Sequence, residues 1–246
     1  MSEQLKAYCR QLRLGNLAPF VEQVDYLDKE QFITEILALA LKQRETERIK
    51  GLVRAAGFPS PKTLDGYELE PITLPHGLTR EQLVSLDFID QKENLLLLGA
   101  VGTGKTHLSI ALGLKACTQG KKVKFYRTAD LATTLVDAWK LGTLSKLTRA
   151  LAKLDLLILD EVGYVPTSKQ AAELLFTVIS TCYEKQSIIV TPNLELGRWN
   201  KVFGHDRLTA ALIDRLIHHA HILSFSGGSY RFGQALRRAR NPEDQQ

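Results

Sequence analysis

The chain has 246 residues, 44% hydrophobic and 24% charged, with a net charge of +5; this excludes a disordered or fibrous protein and allows one α/β core plus a small extra module. Its most apolar stretches, Asn94–Gly99 and Leu154–Leu159, are far too short to span a bilayer, and the N-terminus MSEQLKAYCRQLRLG lacks a signal-peptide core. A soluble, cytoplasmic protein without membrane contact is therefore expected, with Cys9, Cys117 and Cys182, each standing singly, as buried reduced thiols.

Leu5, Tyr8, Cys9 and Leu12 mark one face of a short amphipathic helix, which Gly15 is placed to end. A longer helix is expected from Asp28, with Gln31 completing a capping box. Phe32, Ile33, Ile36, Leu37 and Leu39 supply its apolar positions, and Gly57 is its stop. Four of the eight prolines (Pro59, Pro61, Pro71 and Pro75) then fall within seventeen residues. They divide a small helical domain (1–58) from the rest by a linker (59–78).

Helix Thr79–Ile89, strand Asn94–Leu98, a glycine loop and a helix through Leu108, Ala111 and Leu112 come next. Strand Lys122–Arg127, helix Ala129–Leu141 with further helix to Lys153, and the buried strand Leu156–Leu159 continue the series. Helix Lys169–Glu184, strand Ser187–Thr191, helix Arg207–His218 and strand His221–Ser226 close it. Such alternation predicts a three-layer α/β/α domain over 79–231 with a parallel sheet, followed by a basic tail (232–246). Charge is unevenly spread. Residues 1–90 carry 11 Lys/Arg against 14 Asp/Glu, whereas 91–196 carry 13 against nine and 197–240 eight against two. With a pI near 9.0, this basic excess suits a polyanionic partner such as nucleic acid or, more simply, solubility.

GAVGTGKT (Gly99, Ala100, Val101, Gly102, Thr103, Gly104, Lys105, Thr106) fits the P-loop pattern without a gap, directly after a buried strand and opening a helix. Its backbone N–H groups and helix N-terminus suit phosphate oxygens. Lys105 suits the β- and γ-phosphates of ATP, and the Thr106 hydroxyl suits Mg²⁺. His107, next in the chain, is counted with the loop as a nucleotide-binding position, although no chemical role for its side chain follows from the sequence. LLILDE, ending in Asp160 and Glu161 some 54 residues on, delivers carboxylates to the same sheet edge. Asp160 is expected to hold Mg²⁺ and Glu161 to polarise the attacking water. The gap between the motifs has room for an extra strand, Lys122–Arg127, the arrangement of additional-strand ATPases rather than of P-loop kinases. Asn193 in Thr191-Pro-Asn reads equally as a water-orienting residue or as part of a plain turn. Arg207 and Arg215 flank an apolar helix; either could reach a neighbouring subunit's γ-phosphate, while the simpler local reading pairs Arg215 with Asp214 or another exposed acid. His218, His219 and His221 invite a metal, but no Cys or acidic cluster near them in sequence completes a ligand set.

NLLLLGAVGTGKTHL, LDLLILDEVGYVP, TPNLELGRWNKVFG and LIDRLIHHAHILSFSGGSYR together resemble AAA+ ATPases of the helicase-loader branch, and within it the IstB-like helper proteins of insertion sequences. The resemblance covers most of residues 80–231. It implies an ATPase that oligomerises on double-stranded DNA and delivers it to a transposase; a replicative-helicase loader is the alternative. It also implies that Asn193 is the polar sensor and Arg215 the arginine finger. The chain stops soon after Arg231, so no C-terminal helical lid is expected. Ala100-Val101 and Pro192 depart from the residues more usual in the family.

Overall fold

The computed structural model describes residues 3–24, 28–67, 69, 71–163, 168–203, 206–226 and 228, without the side chains of Lys201 and Val202. Tyr164–Pro166 of the DEVGYVP string, the basic tail and the segment where a lid was not expected lie outside the described residues. The chain forms two compact units, Met1–Leu52 and Val53–Gln246.

The first unit contains α1 (Glu3–Gln11), a 3-10 turn (Gly15–Phe20) and most of α2 (Lys29–Ala56). Helix α1 ends before Gly15. Arg13 takes the left-handed conformation (φ 56°), and the Leu14 N–H returns to the Cys9 carbonyl at 2.6 Å. Asp28 caps α2 by accepting from the Gln31 N–H at 3.2 Å, but the Gln31 side chain bonds Glu35 at 2.8 Å, so only half of the expected capping box forms. Asn16 Nδ2 donates to the Ala40 carbonyl at 2.7 Å, joining the turn to α2. Among the described residues of this unit, Cys9, Ile36 and Ala40 are buried.

The second unit holds β1 (Ile72–Thr73), α3 (Arg80–Ser85), α4 (Asp87–Asp90), β2 (Asn94–Gly99), α5 (Lys105–Thr118), β3 (Val123–Arg127), α6 (Thr128–Lys140) and α7 (Leu144–Leu151). After them come β4 (Leu156–Val162), α8 (Lys169–Cys182), β5 (Ser187–Pro192), a 3-10 turn (Leu196–Arg198), α9 (Asn200–Phe203), α10 (Asp206–Ile217) and β6 (Ala220–Phe225). The six strands form one sheet in the order β1-β6-β2-β5-β4-β3, parallel except for β1.

Alternation along the strands separates the two faces. Leu96, Leu157, Leu159, Ile188 and Val190 pack against α6, α7, α8 and α10. On the other face, the Ile158 side chain lies so close to α5 that a Cβ on Gly113 would come within 2.7 Å of it. This is the three-layer α/β/α architecture expected.

Two expectations change. The helix expected over Thr79–Ile89 breaks at Leu86, which adopts φ 73°. Its side chain is buried, and that burial offsets the strain of a left-handed leucine. The proline segment is part of the second unit rather than a linker outside it. Phe58 packs against α5 at Gly113, and Ile72–Thr73 extends the sheet along β6. No helix among the described residues is long and apolar enough to cross a membrane.

Candidate nucleotide site

The loop between β2 and α5 requires its glycines. A Cβ on Gly99 (φ 152°) would lie 2.7 Å from the Phe225 side chain and 2.8 Å from its carbonyl oxygen. A Cβ on Gly104 (φ 101°), which caps α5, would lie 2.9 Å from the Tyr67 hydroxyl. The loop's outermost side chain, Val101, is exposed. Lys105 is 6% exposed and donates to the carbonyls of Gly99 and Ala100, both at 2.8 Å. Loss of water pulls its pKa below the ordinary lysine value, and the Asp160 charge partly restores it. A cation held over its own loop in this way is free to exchange two carbonyls for phosphate oxygens.

Asp160 stands near the end of β4, buried, within a set of hydroxyls. Thr106 Oγ1 donates to its Oδ1 at 2.9 Å, and Thr191 Oγ1 donates to the same oxygen. Thr128 Oγ1 donates to its backbone carbonyl at 3.0 Å. Thr191 was not singled out by itself in the sequence, although it ends an apolar strand and pairs in register with Asp160. It also accepts the Glu161 N–H at 3.0 Å. Glu161 sits at a bulge in the β4–β5 ladder with φ 58°. That conformation costs on the order of 1 kcal/mol or more in a non-glycine residue, and the bulge redirects the half-buried side chain away from strict alternation.

The strand lying beside β2 in space is not the one that intervenes in the sequence. β3 takes the outer edge, whereas β5 lies between β2 and β4. The residue after β5 is Asn193, whose N–H donates to the Val162 carbonyl at 3.0 Å. The ends of β2, β5 and β4 thus bring together the Gly99–Thr106 loop, Asn193, Asp160 and Glu161. The hydroxyl of Thr106 and the carboxylate of Asp160 form a hard oxygen donor pair that fits Mg²⁺, and the glycine loop at the start of α5 fits a triphosphate.

His107 turns elsewhere. Its Nε2 lies 2.9 Å from the Thr63 carbonyl and its ring 4.9 Å from that of Tyr67. Tyr67 donates to the Gly104 carbonyl at 3.2 Å, and burial pushes its phenol up to about 12. Residues 63–67 therefore brace the loop, a role that sequence proximity could not show. Arg215 is half-buried on α10, its guanidinium 4.8 Å from the centre of the Phe176 ring and bonded to the Ala211 carbonyl at 3.0 Å. These contacts take the place of the simpler local reading, a pairing with Asp214 or another exposed acid. Arg207 is exposed near the start of the same helix.

Residues 9–238 match the family of the IstB-like ATP binding proteins. The ATP-binding protein of insertion sequence IS5376 from Geobacillus stearothermophilus is 34% identical over all of this chain and 99% of its own length. That of IS21 from Pseudomonas aeruginosa is 35% identical over 93% of this chain and 88% of its own. AMPPCP-bound DnaA from Aquifex aeolicus superposes with a TM-score of 0.54 at 22% identity, over 77% of this chain and 57% of that one. The DnaC helicase loader does so with 0.51 at 22% identity, over 67% and 96%. At such identities the structural likeness carries the AAA+ fold alone, whereas the sequence matches carry ATP binding: the chain belongs to the IstB-like ATP-binding proteins.

Proposed function

We propose that this chain hydrolyses ATP to control its own assembly on duplex DNA during transposition, and hands that DNA to the transposase of the same insertion sequence. The observation that carries the reading is the meeting of Lys105, Thr106, Asp160, Glu161 and Asn193 at one sheet edge, in a chain whose relatives are insertion-sequence ATP-binding proteins. The helicase-loader alternative rests on likeness of fold alone.

Lys105 leaves the carbonyls of Gly99 and Ala100 and meets the β- and γ-phosphates. Thr106 and Asp160 hold Mg²⁺, which supplies charge that neutralises phosphate oxygens. Glu161 accepts a proton from the attacking water, and Asn193 orients that water near the γ-phosphate. Arg215 lies in the last turn of α10, whose connection to β6 bonds the first residue of β2 through His219. It thus lies toward the end of β2 opposite its own Gly99. It serves a neighbouring subunit's γ-phosphate instead, once it leaves Phe176. ATP and assembly then favour each other reciprocally.

Six basic residues, Lys122, Arg127, Lys140, Lys146, Arg149 and Lys153, are exposed on and beside the β3 edge, with Trp139 exposed among them. Repeated along an oligomer, they sum to firm, salt-sensitive and largely sequence-independent DNA binding.

Sedimentation velocity of the full chain with and without ATP and duplex DNA tests the reading, with the transposase added in a final arm. ATP and DNA together should give large species that carry the transposase down. Arg215→Ala should keep nucleotide binding and lose roughly a thousandfold in assembled hydrolysis. A strictly monomeric protein with full ATPase activity overturns the mechanism.

A further inference from the structure

At the sheet edge away from the nucleotide loop, the C-terminal ends of two helices come together. Helix α8 turns through Tyr183 and Glu184 toward β5, and α10 turns through His218 and His219 into β6. Buried Asn94 ties the end of α10, its turn and the start of β5 to the start of β2. Its Nδ2 donates to the Leu216 carbonyl at 3.1 Å, its N–H to the His219 carbonyl at 2.7 Å, and its Oδ1 accepts from the Ile188 N–H at 2.9 Å. Glu184, His218 and His219 converge there, with one ligand atom from each lying within 4.8 Å of the others. The acid that the histidines lacked in the sequence thus comes from 34 residues upstream.

We propose that Glu184, His218 and His219 form a binding site for a divalent transition-metal ion of the zinc type. Two imidazoles and a carboxylate are a borderline donor set that suits zinc and leaves a fourth position for water, whereas Mg²⁺ prefers oxygen ligands. The site has an outer shell. Tyr183 Oη lies 2.8 Å from His218 Nδ1, so in the metal-bound tautomer Nδ1–H donates to the phenol and Nε2 faces the ion. The two helix C-termini add negative potential, and Asp214, one turn before His218, adds to it; Lys185 beside Glu184 opposes it. Glu184 itself holds φ 59°, a conformation that glycine or asparagine adopts with less strain.

Donor atoms sharing one zinc stand about 3.3 Å apart, given metal–ligand bonds of roughly 2.0–2.1 Å. The three groups must therefore close by at most about 1.5 Å, and the His219–Glu184 pair hardly at all, within reach of rotamer changes in exposed side chains. Without an ion, the contact between His219 Nε2 and Glu184 Oε1, 3.5 Å and exposed, contributes little. A bound ion would clasp the ends of α8 and α10, the pair between which Arg215 lies over Phe176.

The test is a calorimetric zinc titration of the full chain, nucleotide-free and stripped with a chelator, followed by thermal unfolding with and without zinc. One saturable equivalent is expected, retained in excess MgCl2, with a rise in unfolding temperature. His219→Ala and the near-isosteric Glu184→Gln should each weaken zinc binding by roughly tenfold or more and remove that rise. His221→Ala should keep the equivalent, because His221 is engaged elsewhere, with Glu93 at 2.8 Å. Lys105→Ala should keep it too, which separates this site from the nucleotide's metal. No saturable equivalent, or an affinity unchanged in both His219→Ala and Glu184→Gln, overturns the proposal and leaves adventitious surface binding only.

Discussion

In the second unit, Leu95–Leu97 of β2 and Leu156–Leu159 of β4 are at most 1% exposed. In the first unit, Leu5 and Tyr8 on α1, Leu12 just after it, and Ile33, Leu37 and Leu41 on α2 are 38–68% exposed. Both sets obey the period of their element. A sheet with helices on both faces supplies a cover for every apolar row, whereas two helices and a turn cannot cover all of theirs. Periodicity therefore reports that a face is apolar and leaves open what lies on it. Chemistry follows the same division, since strained and desolvated residues such as Glu161 and Lys105 are held in the packed unit.

The largest effect expected is at Glu161. Glu161→Gln keeps the shape of the side chain and removes its basicity, so hydrolysis should fall by roughly a thousandfold with nucleotide binding retained. Single-turnover hydrolysis beside fluorescent-nucleotide titration measures both. Wild-type turnover would remove Glu161 from the reaction. Loss of folding would show instead that the left-handed Glu161 is part of what holds the packed unit together.

Next comes the core itself. Leu157→Ala, in a fully buried position of β4, should cost about 3 kcal/mol through lost burial and an incompletely filled cavity. Urea unfolding reads this directly, and a cost below about 1 kcal/mol would mean that the sheet is packed no better than the first unit. Lys105→Ala should weaken ATP binding by roughly fiftyfold, about 2.3 kcal/mol, the scale of one charge-assisted contact, while unfolding stays cooperative. Unchanged nucleotide affinity would contradict the whole site assignment.

What the sequence disclosed, and what it hid, follows from range. The Gly99–Thr106 loop was legible because its backbone needs glycine, and the Asp160-Glu161 strand end because an apolar run stops there at two carboxylates. The order of strands was not: β3 intervenes in the sequence and β5 in space, and pairing is settled by contacts distant along the chain. The break at Leu86 carried no glycine or asparagine to announce it. Tyr67 and Thr63 lie in a proline-rich stretch whose composition reads as a linker, yet they dock on Gly104 and His107. Glu184 joins His218 and His219 only because two helices end at the same place. Local chemistry could be read in each case, but its partners could not.

The smallest effect tests the first unit. Leu37 is 42% exposed on the same face of α2 as Ile33 and Leu41, spaced four residues apart so that the three form one stripe. Leu37→Ser removes apolar surface that water already reaches, and it keeps the helix hydrogen bonds. Stability should therefore change by less than about 0.5 kcal/mol, and ATP hydrolysis should not change at all. A loss above about 1 kcal/mol in urea unfolding would mean that the stripe is covered within the chain, and the contrast between the units would fall. If stability holds, the same variant asks whether the stripe meets another protein. Transposase carried down with the ATP-assembled complex should decrease, because an exposed apolar row gains most when a partner removes it from water. Undiminished transposase in that pellet would assign the contact to another surface.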